Sequence, residues 1–554
     1  MHQTKRLRPC SPRHAGAGSL TGLLGATTLL AAASLTLPAR AAVPPVALTE
    51  NGVVYGTTAG GEDRFLGLRY AQPPVGALRW QPPQRLAPGF GLINGTQFGP
   101  HCPQPPSPFG IASTTENCLF LNVYAPPREI AFATRHPRPV MVWIHGGALV
   151  TGESDDYDPV RLVSQGGVIV VTINYRLGAL GFLAQPALDA EGHAAANYGT
   201  LDQQAALAWV RRNIAGFGGD PANVTVFGES AGGLSVLSNL VSPGAAGLFE
   251  AAIVESGTYS LTLPALAAAE AQGTALADAV GCTDQAAACL RAVPVATLLA
   301  QEALAVTTAN SVTPIVDGTV LPLAIGTALA SGRFNRVPVM NGSNHDEGRL
   351  FAAVDFDLAT GAPIPDAEYP AVVATLFGGL QAAVVIVPQY PLAGYGGSAP
   401  YAADLATSAI TTDAVFACTA RAADAALSRY VPTYAYEFND ENAPEDFLPP
   451  VSFPSYGATH ASEIQFLFNI RERPGTPALT AAEQGLAADM VGYWTAFART
   501  HAPAALGLPS WPRYDGMSDL FQSLVPPAPA PESNFAAEHD CAFWTPATST
   551  ASAR

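Results

Sequence analysis

An apolar run passes directly into a predicted helix within Val224-Thr-Val-Phe-Gly-Glu-Ser-Ala-Gly-Gly233. A strand that turns into a helix this abruptly places one residue in strained backbone, so its neighbours must be small. Gly228 and Gly232 meet that requirement. Ser230 is then presented at the carboxyl end of a strand, and the N–H of Ala231 lies at a helix start, facing developing negative charge. The stretch predicts a serine nucleophile, although Gly-x-Ser-x-Gly also arises by chance in a chain with 52 glycines.

The runs around this stretch are continuously apolar rather than alternating. Strands buried on both faces have this pattern, which is typical of a central, mostly parallel sheet. Residues 201–214 carry apolar residues at helical spacing with polar residues opposite, which predicts a crossover helix. The predicted strands are 139–145, 167–173, 224–227, 251–254, 336–341 and 433–438. Because they recur along this whole length, no domain boundary fits between them.

Other elements are predicted outside this set. Short strands at 51–56 and 64–70 are expected to form the antiparallel edge of a larger sheet, and 118–124 is a further strand. The alanine-rich stretches 258–330 and 352–430 have a helical pattern and follow sheet strands, so we expect them to roof the site. A late helix is predicted at 483–500, followed by a proline-rich linker at 525–531.

The amino terminus is typical of an export signal. The first 41 residues hold five basic residues and no acidic one, then an apolar stretch and Ala39-Arg40-Ala41. This predicts a signal peptide over residues 1–41; the alternative, an uncleaved anchor, is disfavoured because a cleavage site follows directly. We therefore expect a secreted protein, extracellular or periplasmic, with a single domain over 42–545, no membrane span in the mature chain and a disordered tail over 546–554.

Composition excludes several classes of protein. Without the predicted signal peptide, 22 basic residues stand against 44 acidic ones, which is poorly suited to binding nucleic acid or anionic lipid. Lys5 is the only lysine in the sequence, so the mature chain lacks one for a phosphate loop, a Schiff base or a serine–lysine dyad. The eight remaining histidines form no H-E-x-x-H or similar motif, so we predict no catalytic metal and no cofactor.

The six cysteines that follow the predicted signal peptide are an even number in an exported protein, which predicts three disulfides. Six cysteines allow 15 pairings. Spacing favours Cys102 with Cys118 and Cys282 with Cys289, which leaves Cys418 with Cys541.

A serine nucleophile needs a base within hydrogen-bond reach, an acid that orients the base, and donors for the oxyanion. Glu347 directly follows the strand at 336–341, and His460 lies on a loop after another strand, so both can reach the sheet edge that carries Ser230. His345 and Asp346 lie beside Glu347 and compete with it on sequence grounds.

A glycine-containing loop precedes the elbow in sequence. In His145-Gly-Gly-Ala-Leu149, which follows an apolar strand, the glycines let the backbone turn its N–H groups toward a substrate oxygen. The alternative is an ordinary glycine pair between strand and loop. With Ser230 present, the loop predicts part of an oxyanion hole.

Taken together, six segments resemble the type B carboxylesterase and cholinesterase family, in that family's order. They are FLGLRYAQPPVG (65–76), ENCLFLNV (116–123), GGDPANVTVFGESAGG (218–233), NHDEG (344–348), GATH (457–460) and CAFW (541–544). The resemblance implies an α/β-hydrolase fold, with a central, mostly parallel twisted sheet, an antiparallel amino-terminal edge, helices on both faces and helical insertions that roof the site. It also implies a serine carboxylesterase that acts on small-molecule esters through an acyl-enzyme without a cofactor.

The resemblance assigns roles to individual residues. It implies Ser230 as nucleophile, Glu347 as acid and His460 as base. The implied oxyanion donors are the N–H groups of Gly147, Ala148 and Ala231, and the residues that surround the triad are Glu229, Ser256 and Gly146. The family's three disulfides match the pairing favoured by spacing.

Three positions depart from the family pattern. Ala148 stands where a third glycine is usual, Asn117 where Asp is usual and Glu255 where Gln is usual. A methyl group on Ala148 still allows its N–H to donate but changes the shape of the pocket.

Substrate class needs a separate argument, because cholinesterases share these motifs. They bind a quaternary ammonium through a tryptophan inside the first disulfide loop. The loop from Cys102 to Cys118 has no tryptophan, and its only aromatic residue is Phe109, so we expect neutral rather than choline esters. A catalytically silent binding module, and an enzyme for amides, lactones or polymeric esters, are the alternatives; the sequence leaves the oligomeric state open.

Overall fold

The computed structural model describes residues 43–127, 137–193, 196–306, 313–397, 399–470 and 474–544. The predicted signal peptide and the predicted disordered tail lie outside these ranges. All statements below concern the described residues.

Most strands of the chain are short. They are β1 (Val46–Thr49), β2 (Gly52–Tyr55), β3 (Thr57–Ala59), β4 (Glu62–Arg69), β5 (Leu92–Asn94), β6 (Phe120–Ala125), β7 (Arg138–Ile144), β8 (Tyr157–Asp158), β9 (Ile169–Ile173), β10 (Gly219–Glu229), β11 (Ala251–Glu255), β12 (Val339–Asn344), β13 (Thr433–Phe438), β14 (Asn469–Ile470), β15 (Phe521–Leu524) and β16 (Ala530–Glu532).

Helices lie between these strands. They are α1 (Val160–Gly166), α2 (Gly178–Phe182), α3 (Pro186–Asp189), α4 (Tyr198–Asn213), α5 (Ala231–Val241), α6 (Leu266–Ala279), α7 (Ala287–Ala292), α8 (Val295–Val306), α9 (Ile325–Ser331), α10 (Gly348–Ala352), α11 (Leu358–Thr360), α12 (Tyr369–Leu376), α13 (Leu380–Ile386), α14 (Ala402–Thr411), α15 (Cys418–Leu427), α16 (Ile464–Leu467), α17 (Ala481–Thr500) and α18 (Phe535–Glu538). A π-helical segment, Thr412–Ala417, joins α14 to α15 without a break.

The central sheet has eleven strands in the order β16-β15-β13-β12-β11-β10-β7-β9-β6-β4-β3. The strands from β15 to β9 in this order pair in parallel. Strands β6, β4 and β3 add an antiparallel edge on the amino-terminal side. The predicted mostly parallel sheet with an antiparallel amino-terminal edge is therefore confirmed.

Strand β7 explains why the sheet strands are continuously apolar. Its residues Val140, Val142 and Ile144 belong to one hydrophobic cluster, which also contains residues of α4 and α5. The alternate residues Met141 and Trp143 belong to a second cluster, which contains residues of α1 and α17. Successive side chains of a strand point to opposite faces, so helices on both faces require an apolar residue at every position.

Two local predictions were wrong. Residues 51–56 do not join the edge of the central sheet, because the chain reverses at Thr49–Gly52 and β2 pairs with β1 and β5 in a separate three-stranded sheet. The proline-rich segment at 525–531 is also more than a linker, since β16 begins within it and pairs with β15.

Three disulfides join distant or looped segments: Cys102–Cys118, Cys282–Cys289 and Cys418–Cys541. In the described ranges no single helix has the length and apolar character of a membrane span. The bent pair Tyr369–Leu376 and Leu380–Gln389, at 116° to each other, reaches that threshold only as a pair, by length and composition.

Candidate active site

Ser230 lies in the tight connection between β10 and α5. Its backbone has φ 56° and ψ −122°, a strained conformation for a residue other than glycine. A Cβ atom on Gly232 would lie 2.0 Å from the carbonyl oxygen of Ile144, and one on Gly228 would lie 2.5 Å from the same oxygen. Glycine is therefore required at both positions for the elbow to approach strand β7.

Glu347 and His460 are in direct contact. Glu347 Oε2 lies 2.5 Å from His460 Nδ1, and Glu347 Oε1 accepts a hydrogen bond from the N–H of Asn344 at 2.9 Å. Glu347 is fully buried and His460 is almost so. The carboxylate is thus fixed at both oxygens, and the imidazole is oriented through Nδ1.

The two neighbours of Glu347 point elsewhere. Asp346 forms an ion pair with Arg349 at 2.8 Å, and its Oδ2 accepts the N–H of Ala458 at 3.1 Å. The ring of His345 lies 5.5 Å from that of His539. Of the three adjacent residues that compete on sequence grounds, Glu347 is the one in contact with His460.

Hydrogen bonds join the loop that carries Glu347 to the loop that carries His460. The N–H of Asp346 donates to Ala458 O at 2.9 Å, and Asn344 Nδ2 donates to Thr459 O at 2.7 Å. Asn344 Nδ2 also donates to Glu463, a buried carboxylate three residues after His460. Sequence reasoning gave Asn344 and Glu463 no role, although Asn344 lies inside the motif at 344–348 and Glu463 lies three residues after the motif at 457–460.

Two aromatic rings flank the imidazole of His460. The rings of Phe351 and Phe416 lie 5.1 and 5.0 Å from it, and they stack on each other at 5.5 Å. Phe351 belongs to α10 and Phe416 to the π-helical segment. The inserted helices therefore contact the base directly; the sequence carried no signal that would select these two aromatic residues.

Glu229 faces the other nitrogen of the base. Its Oε1 lies 3.2 Å from His460 Nε2, an ion-pair contact without hydrogen-bond geometry. Within the described part of the chain no hydrogen bond joins Ser230 to His460. Catalytic hydrogen bonds are often long or misaligned in the absence of substrate and tighten when it binds. In the structure Nε2 thus contacts the carboxyl group of Glu229.

Burial and the neighbouring negative charges have opposite effects on the pKa of His460. Burial raises the pKa of Glu229 well above its ordinary value. Burial alone would lower the pKa of His460, but the negative charges of Glu229 and Glu347 outweigh it and raise that pKa to about 9. A proton on Glu229 removes one of these two negative charges. The protonation of Glu229 and that of His460 therefore depend on each other.

The loop after β7 lies against the elbow. Its residues Gly147, Ala148 and Leu149 have φ values of 93°, 54° and 63°. A Cβ atom on Gly146 would lie 3.2 Å from the Cβ atom of Ser230, which shows how closely the loop approaches. The described residues include no backbone hydrogen bond from the N–H groups of Gly147, Ala148 or Ala231.

Glu255 is the last residue of β11 and contacts the backbone of Ser230, and Ser256 follows it in the chain. The N–H of Ser230 donates to Glu255 O at 2.9 Å, and Glu255 Oε1 accepts the indole N–H of Trp494 at 2.8 Å. Burial raises the pKa of Glu255 to about 8. Ser256 has φ 50°, and its hydroxyl has no hydrogen-bond partner in the described ranges. Nothing in the structure explains Asn117.

Sequence comparison matches the chain to esterases over most of its length. A model of the carboxylesterase family matches residues 43–544. The chain is 35% identical over 491 residues to the para-nitrobenzyl esterase of Bacillus subtilis (strain 168), covering 85% of this chain and 92% of that protein. It is 33% identical over 519 residues to the cocaine esterase of Oryctolagus cuniculus, covering 87% and 93%.

Structural comparison agrees. The solved structure of a thermophilic PNB esterase matches with a TM-score of 0.75 at 31% identity, covering 91% of this chain and 100% of that one. A second PNB esterase structure also matches with a TM-score of 0.75, at 32% identity, covering 90% and 100%. The resemblance seen in the sequence motifs is confirmed: the chain belongs to the carboxylesterase family, has the α/β-hydrolase fold and is a carboxylic-ester hydrolase.

Proposed function

We propose that the protein is a secreted serine carboxylesterase that hydrolyses neutral esters through Ser230, His460 and Glu347. The observation that carries this proposal is the 2.5 Å contact between Glu347 and His460. It supplies an oriented base, and Ser230 is held in strained backbone at the end of a strand.

In the proposed mechanism His460 takes the proton of Ser230 while the serine oxygen attacks the acyl carbon. The carbonyl oxygen becomes an oxyanion, which accepts hydrogen bonds from the N–H groups of Gly147, Ala148 and Ala231. Collapse of this intermediate breaks the bond to the alcohol, which His460 protonates. His460 then activates water, which attacks the acyl-enzyme and releases the acid.

Glu347 and Glu229 act on the same imidazole in different ways. Glu347 holds the ring through Nδ1 and stabilises its charged form, as the acid of a triad does. Glu229 faces Nε2, where the proton arrives from Ser230. We infer that the negative charge of Glu229 keeps the imidazole protonated to higher pH and so raises the pH below which His460 stops accepting that proton.

Secretion rests on two features. The amino-terminal segment of the sequence is typical of a signal peptide, and the structure contains three disulfides. Disulfides persist in oxidising compartments and are rare in the cytosol. Both features support an extracellular or periplasmic location.

The preference for neutral esters rests on the first disulfide loop and the lining around the base. Phe109, the only aromatic residue of that loop, packs against Phe447 at 5.5 Å. The rings next to His460 are those of Phe351 and Phe416, whereas cation–π binding is strongest with tryptophan. This lining suits an uncharged acyl or alcohol group.

Ser230→Ala tests the nucleophile on a panel of p-nitrophenyl esters of rising acyl length. Removal of the hydroxyl should lower kcat by roughly 10⁴-fold or more, because no acyl-enzyme can form. Ser235→Ala, on the following helix, removes a hydroxyl that interacts with Gln203 and Tyr175 and should stay within about tenfold of wild type. Full activity in Ser230→Ala would refute the mechanism.

Glu347→Gln and Asp346→Asn form a matched pair that tests the acid. Glu347→Gln should lower kcat by roughly 10³- to 10⁴-fold, because the amide cannot hold and stabilise the imidazolium. Asp346→Asn keeps an oxygen for the N–H of Ala458 and should cost less than about tenfold. If Asp346→Asn is instead the more damaging change, the acid has been misassigned.

Glu229→Gln tests the effect of the Glu229 charge on His460 through the pH dependence of kcat/KM. Removing this negative charge lowers the pKa of His460, and the base is active only when neutral. The acidic limb of the profile should therefore move to lower pH, by roughly one unit. Asp346→Asn serves as the control, since Asp346 does not contact His460. An unshifted limb in Glu229→Gln would mean that Glu229 is uncharged in the working enzyme.

The substrate preference is tested with a thiocholine ester and an uncharged thioester of equal acyl length. We expect kcat/KM to be at least about tenfold higher for the uncharged ester, since the first disulfide loop offers no tryptophan to the cation. The measurement is the release of thiol with each substrate by the wild-type enzyme. A higher value for the thiocholine ester would contradict the proposed preference.

A further inference from the structure

A second cluster of titratable side chains begins two residues before Glu347. His345, Glu437 and His539 each offer one nitrogen or oxygen atom, and these atoms lie within 4.8 Å of one another. His345 follows β12, Glu437 belongs to β13 and His539 follows α18. The three residues come from well-separated parts of the chain, so no sequence motif predicts that they form a cluster.

The two buried members have the donor chemistry of a metal site. His539 Nε2 lies 2.6 Å from Glu437 Oε1. Ligand atoms bound at about 2.0–2.2 Å to one tetrahedral zinc ion lie about 3.3 Å apart, so a small outward movement would admit an ion. The other ring nitrogen, His539 Nδ1, lies 2.7 Å from Asp413 Oδ1. Metal-binding histidines almost always donate their second ring N–H to a carboxylate, a backbone carbonyl or water, and Asp413 is placed for this role.

His345 supplies the third position. Its ring lies 5.5 Å from the ring of His539. Its Nδ1 is buried and makes no hydrogen bond within the described residues; the nearest carboxylate oxygen recorded for it, on Asp346, is 3.6 Å away. A buried imidazole nitrogen without a hydrogen bond costs free energy unless something else satisfies it.

The charge around the cluster favours a cation. Asn439 Nδ2 donates to Glu437 at 3.2 Å and to Glu532 at 3.3 Å, which places a second carboxylate beside Glu437. Asp413 and Glu437 thus contact the ring of His539, and Glu532 adds a third carboxyl group beside Glu437. Arg349 is near the cluster but is already paired with Asp346.

An open cavity reaches the cluster. It has a volume of about 490 Å³, and His345, His539 and Asp413 are part of its lining. The cavity gives an ion a path from solvent and leaves room for a water molecule as a further ligand.

We propose that His345, Glu437 and His539 bind a divalent transition-metal ion of the zinc class, with Asp413 orienting His539 and water completing the coordination. Two imidazoles and one carboxylate suit Zn²⁺ and its substitute Co²⁺, whereas Ca²⁺ and Mg²⁺ require oxygen ligands. The ion has no part in ester hydrolysis, so the absence of a catalytic metal remains our prediction. It would join the loop of Glu347 to the carboxyl-terminal segment.

Titration with Co²⁺ tests the site in the full-length protein after treatment with a chelator. Visible d–d absorption should report one bound ion with nitrogen and oxygen ligands. His345→Asn should weaken Co²⁺ binding by roughly a hundredfold, because a direct ligand is lost. His193→Gln is the matched control: His193 also lies 3.1 Å from a carboxylate, that of Glu191, but belongs to no cluster of three ligands in the described residues. Its affinity should equal that of wild type.

Thermal unfolding gives an independent readout. Zn²⁺ should raise the Tm of the wild type and of His193→Gln, but not that of His345→Asn, because an ion that binds only the folded state stabilises it. His345→Phe keeps the ring without its nitrogens and should lose binding equally; ester hydrolysis in chelator shows that each variant is folded. Equal Co²⁺ affinity in wild type and both variants, or no bound ion in wild type, overturns the proposal and leaves an ion-pair network around His539.

Discussion

Hydrogen bonds between two neighbouring segments hold Glu347 and His460, the proposed acid and base, together. Asp346 and Ala458 exchange two of them, and Asn344 adds a third to Thr459. Glu347 and His460 follow different strands, so nothing in the local chain brings them within 2.5 Å of each other. The contact between Glu347 and His460 therefore depends on neighbours outside the proposed triad, and it requires the hydrogen bonds that these neighbours form.

The site also carries more buried carboxyl groups than the proposed chemistry needs. Burying a charged carboxylate is costly unless it is paired or protonated. Glu229 faces His460, Glu255 accepts from Trp494, and Glu463 accepts from Asn344. Burial raises the pKa of all three, that of Glu463 to about 7. His460 therefore lies in a cluster of carboxyl groups whose protonation burial favours, and their charge acts on the pKa of the imidazole.

Sequence reasoning succeeded where one physical cause acts locally. A strand covered on both faces must be apolar throughout, as β7 is, and an elbow that approaches Ile144 must have glycine at 228 and 232. It failed for contacts between segments. The sequence motif at 344–348 does not show which of His345, Asp346 and Glu347 contacts His460, because that depends on how distant segments pack. The sequence likewise does not show which aromatic rings lie beside His460. The separate pairing of β2 was missed because an alternating strand next to a tight turn fits either sheet.

The π-helical segment Thr412–Ala417 carries side chains that contact two histidines in different parts of the protein, His539 and His460. It carries Asp413, which contacts His539, and Phe416, which contacts His460. Directly after it comes Cys418, which is bonded to Cys541. In a regular α-helix each residue turns the chain by about 100°. Deleting one residue to make this helix regular would rotate everything on one side of the segment by that angle, so that Phe416, Asp413 and the disulfide could not all keep their partners. The chain between α14 and α15 therefore needs the extra residue of the π-helical segment to keep these three contacts.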